Sequence, residues 1–523
     1  MRFGLLSDWV GQRSGVPHIK LPQGLVNEES SFVHYWRNAV RRVPGRVAAF
    51  DGVQTPDANP ILRYHYHRST AGIDYVFVFT KAHAYLWSGS AWTLMFTCAK
   101  DCDGWSTENF GEYVVATNDL DKVQYWSDAT PAVAFANVGG ANGIDYDGNH
   151  YLTRAKLVIR HWHYLHLLST TEDGTTYKNF DRWCSAGDLT DWNENGEGDT
   201  DYRELGPSDE IVGAGIYNVQ GANQLIVFTQ QTVNAAWLVT DDLVYESQDI
   251  LTGTGCPAPD SIVNAPDGQL YYISSDDDGA KEVRRVYDPN PLSYDVQATL
   301  DRMHPTLCNK IAASYIGQFQ EIWWCIPSSG SSTGNDVVLP FSLMTQTWQP
   351  NSPMDICAFG YWTQQTTTYI DEVAEMIDDV IKVVDSYGPV AGQPISLVSD
   401  YSGYSWSTGS GTTDKEVSYM GQLVLSTDLD PDTLNRFKRL HGAWLYFLAH
   451  TGASHTVTVS IRRGESASYV NKGNVSLDGN GQTVRKWLRF DGRTRNLDLK
   501  LSASNDFEFL GVIFDYDLCG ERA

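Results

Sequence analysis

Between Asp191 and Asp201 the chain reads Asp-Trp-Asn-Glu-Asn-Gly-Glu-Gly-Asp-Thr-Asp. Alternating Asp and Asn with a glycine at the sixth position opens a calcium loop, because short oxygen ligands two residues apart can converge on one hard cation while glycine makes the sharp turn. Asp191, Asn193, Asn195, Glu197, Asp199 and Asp201 are therefore candidate Ca2+ ligands, and Ca2+ is the one cofactor the sequence suggests. The twelfth position is Tyr202 rather than the bidentate Glu of an EF-hand, so Asp199 or Asp201 would have to close the shell. A solvated acidic loop is the competing reading. Ser274-Ser-Asp-Asp-Asp-Gly279 is a poorer version of the same pattern.

Histidines cluster at His161-Trp-His163-Tyr-Leu-His166 and Tyr64-His-Tyr-His67. On a continuous strand His161 and His163 share one face and His166 takes the other. Two such rings could hold a metal, but nothing nearby completes a site, and aromatic packing competes. The eight cysteines, at 98, 102, 184, 256, 308, 325, 357 and 519, are scattered through a long chain and read as reduced thiols. Cys98 and Cys102 lack the spacing of a zinc knuckle. No Gly-x-Ser-x-Gly elbow, phosphate loop or dinucleotide fingerprint appears, so no catalytic residue is assigned and the chain is not expected to be an enzyme. A propeller glycosidase would place carboxylates at its central face, but 64 Asp/Glu leave no way to select them.

The elements that would carry these residues repeat. An apolar run, a polar turn and a second run ending in Trp or Tyr recur: Tyr75 to Thr80 then Ala84 to Trp87, Tyr113 to Asn118 then Val123 to Trp126, His163 to Leu168 then Phe180 to Trp183. The pattern continues as Gln224 to Thr229 then Ala236-Trp237, Gln269 to Ser274 then Val283 to Tyr287, and Glu321 to Ile326 then Val337 to Trp348. The mean step is 49 residues. Units of this size cannot bury both apolar faces alone, so the repeat predicts an all-β fold, a β-propeller of about six divergent blades.

Residues 1–62, rich in Gly and Pro, read as an extended arm, and 63–358 as the blades. The stretch 359–433 holds the one convincing amphipathic helix, Thr368 to Asp385, with acidic residues opposite an Ile/Val face, and then strands of a closing blade near 393–403 and 417–425. Residues 434–523 read as a C-terminal β-sandwich. No stretch is apolar enough to span a membrane, and the residues after Met1 lack the hydrophobic region of an export signal.

The net charge of −26 is uneven: residues 1–70 and 436–523 each carry +4, which leaves −34 on the body between. An acidic body argues against ordinary nucleic-acid binding, which needs a basic stripe to displace counterions.

In this order of arm, blades and sandwich, short phrases resemble the tail nozzle or hub proteins of short-tailed bacteriophages, the packaged-DNA stabilisation family. They are Asn38-Ala-Val-Arg-Arg-Val-Pro-Gly45, Gly255-Cys-Pro-Ala-Pro-Asp-Ser-Ile262 with Asp267 to Ser274, Asn435-Arg-Phe-Lys-Arg-Leu440, Val457 to Ser460, and Phe507-Glu-Phe-Leu-Gly-Val-Ile513. Val43 stands where that family's first phrase has Arg. The resemblance implies a structural virion protein, assembled in the host cytoplasm as a homohexameric ring. The ring would lie below the portal and adaptor rings, hold tail fibres or spikes, retain packaged DNA and open for ejection. Double-stranded DNA would pass without sequence recognition, repelled by a carboxylate-lined lumen. The alternatives are a receptor- or glycan-binding propeller, for which the 17 Trp and 28 Tyr are suited, and a propeller glycoside hydrolase.

Overall fold

In a computed structural model of the protein, the described residues are 2–6, 11–13, 25–26, 29–36, 39–195, 199–206, 209–239, 244–276, 278–363, 394–409, 413–415, 417–418, 420–427, 437–449, 454–463, 467–478, 482–494 and 497–519. Among the described residues strands take up 57% and helices 4%, which makes it an all-β protein of many small sheets. The amphipathic segment from Thr368 to Asp385 lies outside the described residues. The chain divides into two compact units.

One unit, residues 48–279 and 356–408, is a series of antiparallel sheets. The first comprises Ile61–Arg68, Asp74–Thr80, His83–Trp87 and Trp92–Thr97, and the second Ser106–Phe110, Tyr113–Thr117, Gln124–Ser127 and Ala136–Asn137. The third runs through Ile144–Asp145, Tyr151–His161, Tyr164–Glu172, Thr175–Trp183 and Asp201–Glu204. Ile211–Val219, Ala222–Thr229, Thr232–Leu238 and Tyr245–Thr252 form the fourth, and the fifth includes Thr254–Gly255, Leu270–Asp276 and Val263–Asn264. Phe359–Thr363, Pro394–Ser399 and Ser405–Thr408 pair in a last sheet.

The first four hairpins expected from the repeat are the middle strands of the first four sheets, and Leu270–Asp276 is the middle strand of the fifth. Each contributes Val, Ile, Phe and Trp to apolar cores that lie between consecutive sheets: Phe77, Phe79 and Trp126 join the first to the second, Val115 and Leu165 the second to the third, Leu168 and Leu225 the third to the fourth. Stacking is obligatory, because one small sheet has two apolar faces and no core of its own. Inner strands touch in series: Ile61–Arg68 lies beside Phe359–Thr363 and Ser106–Phe110, which meets Tyr151–His161, which meets Ile211–Val219. Two glycines permit this approach. A Cβ on Gly360 would sit 2.4 Å from the Tyr64 Cβ, and one on Gly213 would sit 2.4 Å from Ile262 Cδ1.

The other unit, residues 1–47, 280–355 and 409–523, contains the sheet Ala312–Ile316, Glu321–Ile326, Val337–Ser342 and Thr347–Trp348, which holds the sixth hairpin of the repeat. It also contains two sheets facing each other over one core that includes Val33, Leu423, Leu445, Val459, Leu499 and Phe514. One comprises Gly421–Thr427, Leu497–Ala503, His455–Arg462 and Val470–Leu477. The second is built on Lys438–Leu448, Thr483–Thr494 and Glu508–Leu518, and is completed by the early strands Arg2–Leu6, Val33–Trp36 and Ala39–Arg42. Residues of the expected arm are thus structural strands of the sandwich.

Gly421–Thr427, expected in a closing blade, instead pairs with Leu497–Ala503 and buries Leu423 and Leu425 in the sandwich. Its alternating apolar residues suit either setting, and the long-range partner decides.

Candidate functional site

The inner strands of the sheet series carry polar residues that the apolar hairpins do not. Arg63, on the first sheet's inner strand, donates from Nη1 to Asp260 Oδ1 at 3.0 Å. Asp260 belongs to the short turn Pro259–Ser261 that leads into the fifth sheet, so the contact spans the series. Glu108, on the second inner strand, lies close enough to Arg63 to feel its charge. Its Oε1 accepts from the Asn109 backbone N–H (3.0 Å) and its Oε2 from that of Arg160 (3.4 Å) on the third.

Burial pushes the Glu108 pKa up, while the two backbone N–H groups and the charges of Arg63 and Arg160 pull against it. Asp260 is likewise raised by burial and pulled back by Arg63. The Glu108 charge in turn acts on Tyr361 of the last sheet, whose ring lies 5.1 Å from that of Tyr66. Two perturbed carboxylates, two guanidiniums and a phenol therefore belong to one electrostatic cluster. It is open to water, since the Arg63 and Asp260 side chains each keep 39% of their area exposed. Perturbed carboxylates suit proton transfer or polar recognition. The Arg63–Asp260 pair, being this exposed, is worth about 1 kcal/mol or less to folding.

Deeper along the same strands the polar groups satisfy one another. His65 bridges Thr107 Oγ1 (3.0 Å) and Asn109 Oδ1 (2.9 Å), and burial lowers its pKa to about 4. His67 bridges Asn109 Oδ1 (2.7 Å) and Asp128 Oδ2 (3.1 Å). Lys156 and Lys178 both hold Glu210, at 2.9 and 2.8 Å. These contacts tie the first sheet to the second and the third to the fourth.

The histidines at 161–166 do not lie on one strand. Trp162 takes a left-handed conformation (φ 54°), and with His163 it forms the tight turn between Tyr151–His161 and Tyr164–Glu172. His163 is exposed, while His161 and His166 become neighbours across the hairpin with ring centroids 6.3 Å apart. His161 contacts Tyr245 Oη and Asn223 Oδ1, both at 3.0 Å, and His166 contacts the buried Asp181 at 2.8 Å. Asp181 also accepts from Arg203 at 2.7 Å.

In the acidic loop, Asp191 and Asn193 use their side-chain oxygens as turn acceptors, from the backbone N–H groups of Asn193 (3.3 Å) and Asn195 (2.9 Å). Asp199 Oδ2 accepts from Tyr164 Oη at 3.3 Å, and Asp201 Oδ1 from the Tyr202 N–H at 2.8 Å. Glu197 lies outside the described residues. Among the described residues no group of three or more His, Cys, Asp or Glu is arranged to hold a metal ion. The loop is fastened by Glu194, which accepts from Arg182, itself held by Glu172 through two contacts of 3.1 Å.

The residues of the inner-strand cluster were not singled out by sequence. A usable signal exists: Arg63, Glu108 and Arg160 each stand shortly before an apolar hairpin, on the strand that must be innermost.

No family model matches the chain, and no curated protein matches it. Among solved structures, the chain is similar to an exo-beta-1,3-galactanase from Phanerochaete chrysosporium with galactose, at 10% identity over 89% of this chain and 100% of that one, with a TM-score of 0.27. A variant of that enzyme with beta-1,3-galactotriose gives 10% identity over 87% and 100%, also at a TM-score of 0.27. Likeness at this level carries no argument about the reaction. Among the described residues no helix is long and apolar enough to cross a membrane.

Proposed function

We propose that the protein is a structural subunit of a short-tailed bacteriophage tail, at the nozzle or hub position. In this reading the sheets close as a propeller, and like subunits form a ring, a hexamer by the resemblance, below the portal and adaptor. The ring continues the DNA conduit, retains the packaged duplex, anchors fibres or spikes and opens for ejection. The observation that carries it is the state of the inner-strand charges. Asp260 sits on Arg63, Glu210 lies between two lysines and Asp128 is on His67. These groups hold sheet to sheet. The phrase order of the sequence and its −34 acidic body support the same reading. Electron cryo-microscopy of the purified protein tests it: a ring around an axial, carboxylate-lined channel is expected, and a monomer at every concentration would reject it.

A second reading, a carbohydrate-active enzyme, is favoured by one observation, the raised pKa values of Glu108 and Asp260 in a solvent-open cluster. Glycoside hydrolysis requires one carboxylic acid that keeps its proton and one ionised carboxylate; Glu108 suits the first role and Asp260, paired with Arg63, the second. Turnover of aryl glycosides that disappears in both Glu108→Gln and Asp260→Asn would establish it. Absence of turnover across α- and β-linked substrates removes it.

A further inference from the structure

A cavity of about 640 Å3 opens at the far end of the first hairpin from Arg63, where Arg68 pairs with Asp74. Five residues of strand, about 17 Å, separate the two places. The wall is aromatic. Phe50 stacks on Trp362 with centroids 4.9 Å apart at 27°, and lies 5.1 Å from Trp87. Trp87 and Trp362 are half-buried, so part of each indole stays open. Phe50 and Asp51 both adopt left-handed backbone (φ 51° and 54°). Non-glycine residues hold that conformation only where the surroundings impose it. The ring thereby enters the aromatic wall, and Asp51 stays exposed at the cavity rim.

Asp74 supplies the second, independent observation. Its side chain keeps only 7% of its area open. Oδ1 accepts from Tyr66 Oη at 2.5 Å and lies 3.8 Å from Arg68 Nε. Oδ2 is buried and has no hydrogen-bond partner, and Asp74 lines the cavity. A buried carboxylate oxygen without a donor is an unusual cost in a folded protein, and it marks a place where a donor arrives from outside.

We propose that this cavity binds a neutral saccharide, with a C–H face of the sugar on the open parts of Trp87 and Trp362 and a hydroxyl donating to Asp74 Oδ2. Half-buried rings beside a polar acceptor suit a ligand with one apolar face and a hydroxylated edge. The volume lies within the range of small-ligand pockets. A cation would also suit the aromatic wall, but the Asp74 charge is already met by Arg68 and the Tyr66 hydroxyl. A hydroxyl-rich neutral ring uses both the wall and the remaining oxygen. The site is separate from the inner-strand cluster and does not depend on either reading of function.

The test titrates the full chain with maltose, lactose and cellobiose, read by tryptophan fluorescence and by saturation-transfer NMR. At least one sugar is expected to perturb the fluorescence saturably. Asp74→Asn and Trp87→Ala should each weaken that sugar on the order of tenfold or more, as loss of a specific hydrogen bond or stacking surface does. Ile73→Trp adds bulk at a rim position that is 51% exposed, so it should block binding without touching the core. Leu120→Ala, at an exposed position outside the cavity, should leave the affinity unchanged. The proposal is overturned if none of the sugars gives a saturable signal, if all three cavity variants bind like wild type, or if choline binds in their place.

Discussion

Glu321 opens a strand of the sheet that carries the sixth hairpin and is 3% exposed. Its Oε2 accepts from Trp323 Nε1 at 2.8 Å, and its Oε1 lies 4.0 Å from His34 Nδ1. Burial raises its pKa to about 8 from an ordinary 4.5, with the Trp323 hydrogen bond pulling slightly the other way. From pH 4.5 to 8 the native protein therefore holds a proton that the unfolded chain has released. Stability from this group is present in full below the lower value, falls as pH rises, and is gone above the upper one. At about 1.4 kcal/mol per pH unit, the loss is on the order of 5 kcal/mol.

His34 has the opposite sign. Burial, followed by the charge of Arg41, lowers its pKa to about 4 from 6.5. The two slopes oppose each other below pH 6.5 and leave the Glu321 loss alone from there to 8. Glu321→Gln keeps an acceptor for Trp323 and has no proton to lose. Unfolding by denaturant at pH 4.5, 6.5 and 8, followed by near-ultraviolet circular dichroism, should show the variant gaining on wild type at each step. At neutral pH the wild type should also show the infrared carbonyl band of a protonated carboxylic acid, and the variant should lack it. Parallel stability profiles for the two proteins would refute the reasoning.

Asp181→Asn should destabilise the protein by about 1–3 kcal/mol in chemical denaturation, because it removes the buried carboxylate charge that His166 and Arg203 share. Burial alone would raise the Asp181 pKa, but His166 and Arg203 outweigh it and hold it low. Its contribution is therefore present above the ordinary carboxylate range and lost as pH falls through the lowered value. Trp126→Ala empties a site that is 1% exposed beside Tyr75 and Phe77, and a loss of about 3–5 kcal/mol should appear as a lower melting temperature. Gly360→Ala forces a Cβ against the Tyr64 Cβ and should cost about 1–3 kcal/mol, with the Tyr64→Gly, Gly360→Ala double variant recovering part of the clash in a double-mutant cycle.

The apolar hairpins were legible because their first strands, such as Val76 to Thr80 and Leu165 to Glu172, are continuously buried, so packing dictates their composition. The strands beside them were not. Ser106-Thr-Glu-Asn109 and Arg63-Tyr-His-Tyr-His67 face polar neighbours of other sheets, and their charges are explained only by partners such as Thr107 for His65 and Asp260 for Arg63. The tight turn at Trp162-His163 was hidden by aromatic residues that also suit a strand, and its left-handed residue is not a glycine. Strands within 434–523 were legible from their alternating apolar residues, as in His455–Arg462. The early strands of the sandwich were not, because pairings such as Leu5 with Ile513 leave no local signal. Of the candidate ligands, the acidic pattern at 191–201 gives its described oxygens turn and hydroxyl partners, a use that alternating Asp and Asn serve as readily as calcium.

The strand Glu508–Leu518 lies inside its sheet, between Lys438–Leu448 on one side and the early strands Ala39–Arg42 and Arg2–Leu6 on the other. During synthesis the early strands leave the ribosome roughly 470 residues before this partner, a wait of about 20–90 s at ordinary elongation rates. Throughout that interval the edges that will pair with Glu508–Leu518 lack their native neighbour, the kind of exposed strand edge that folded proteins otherwise protect.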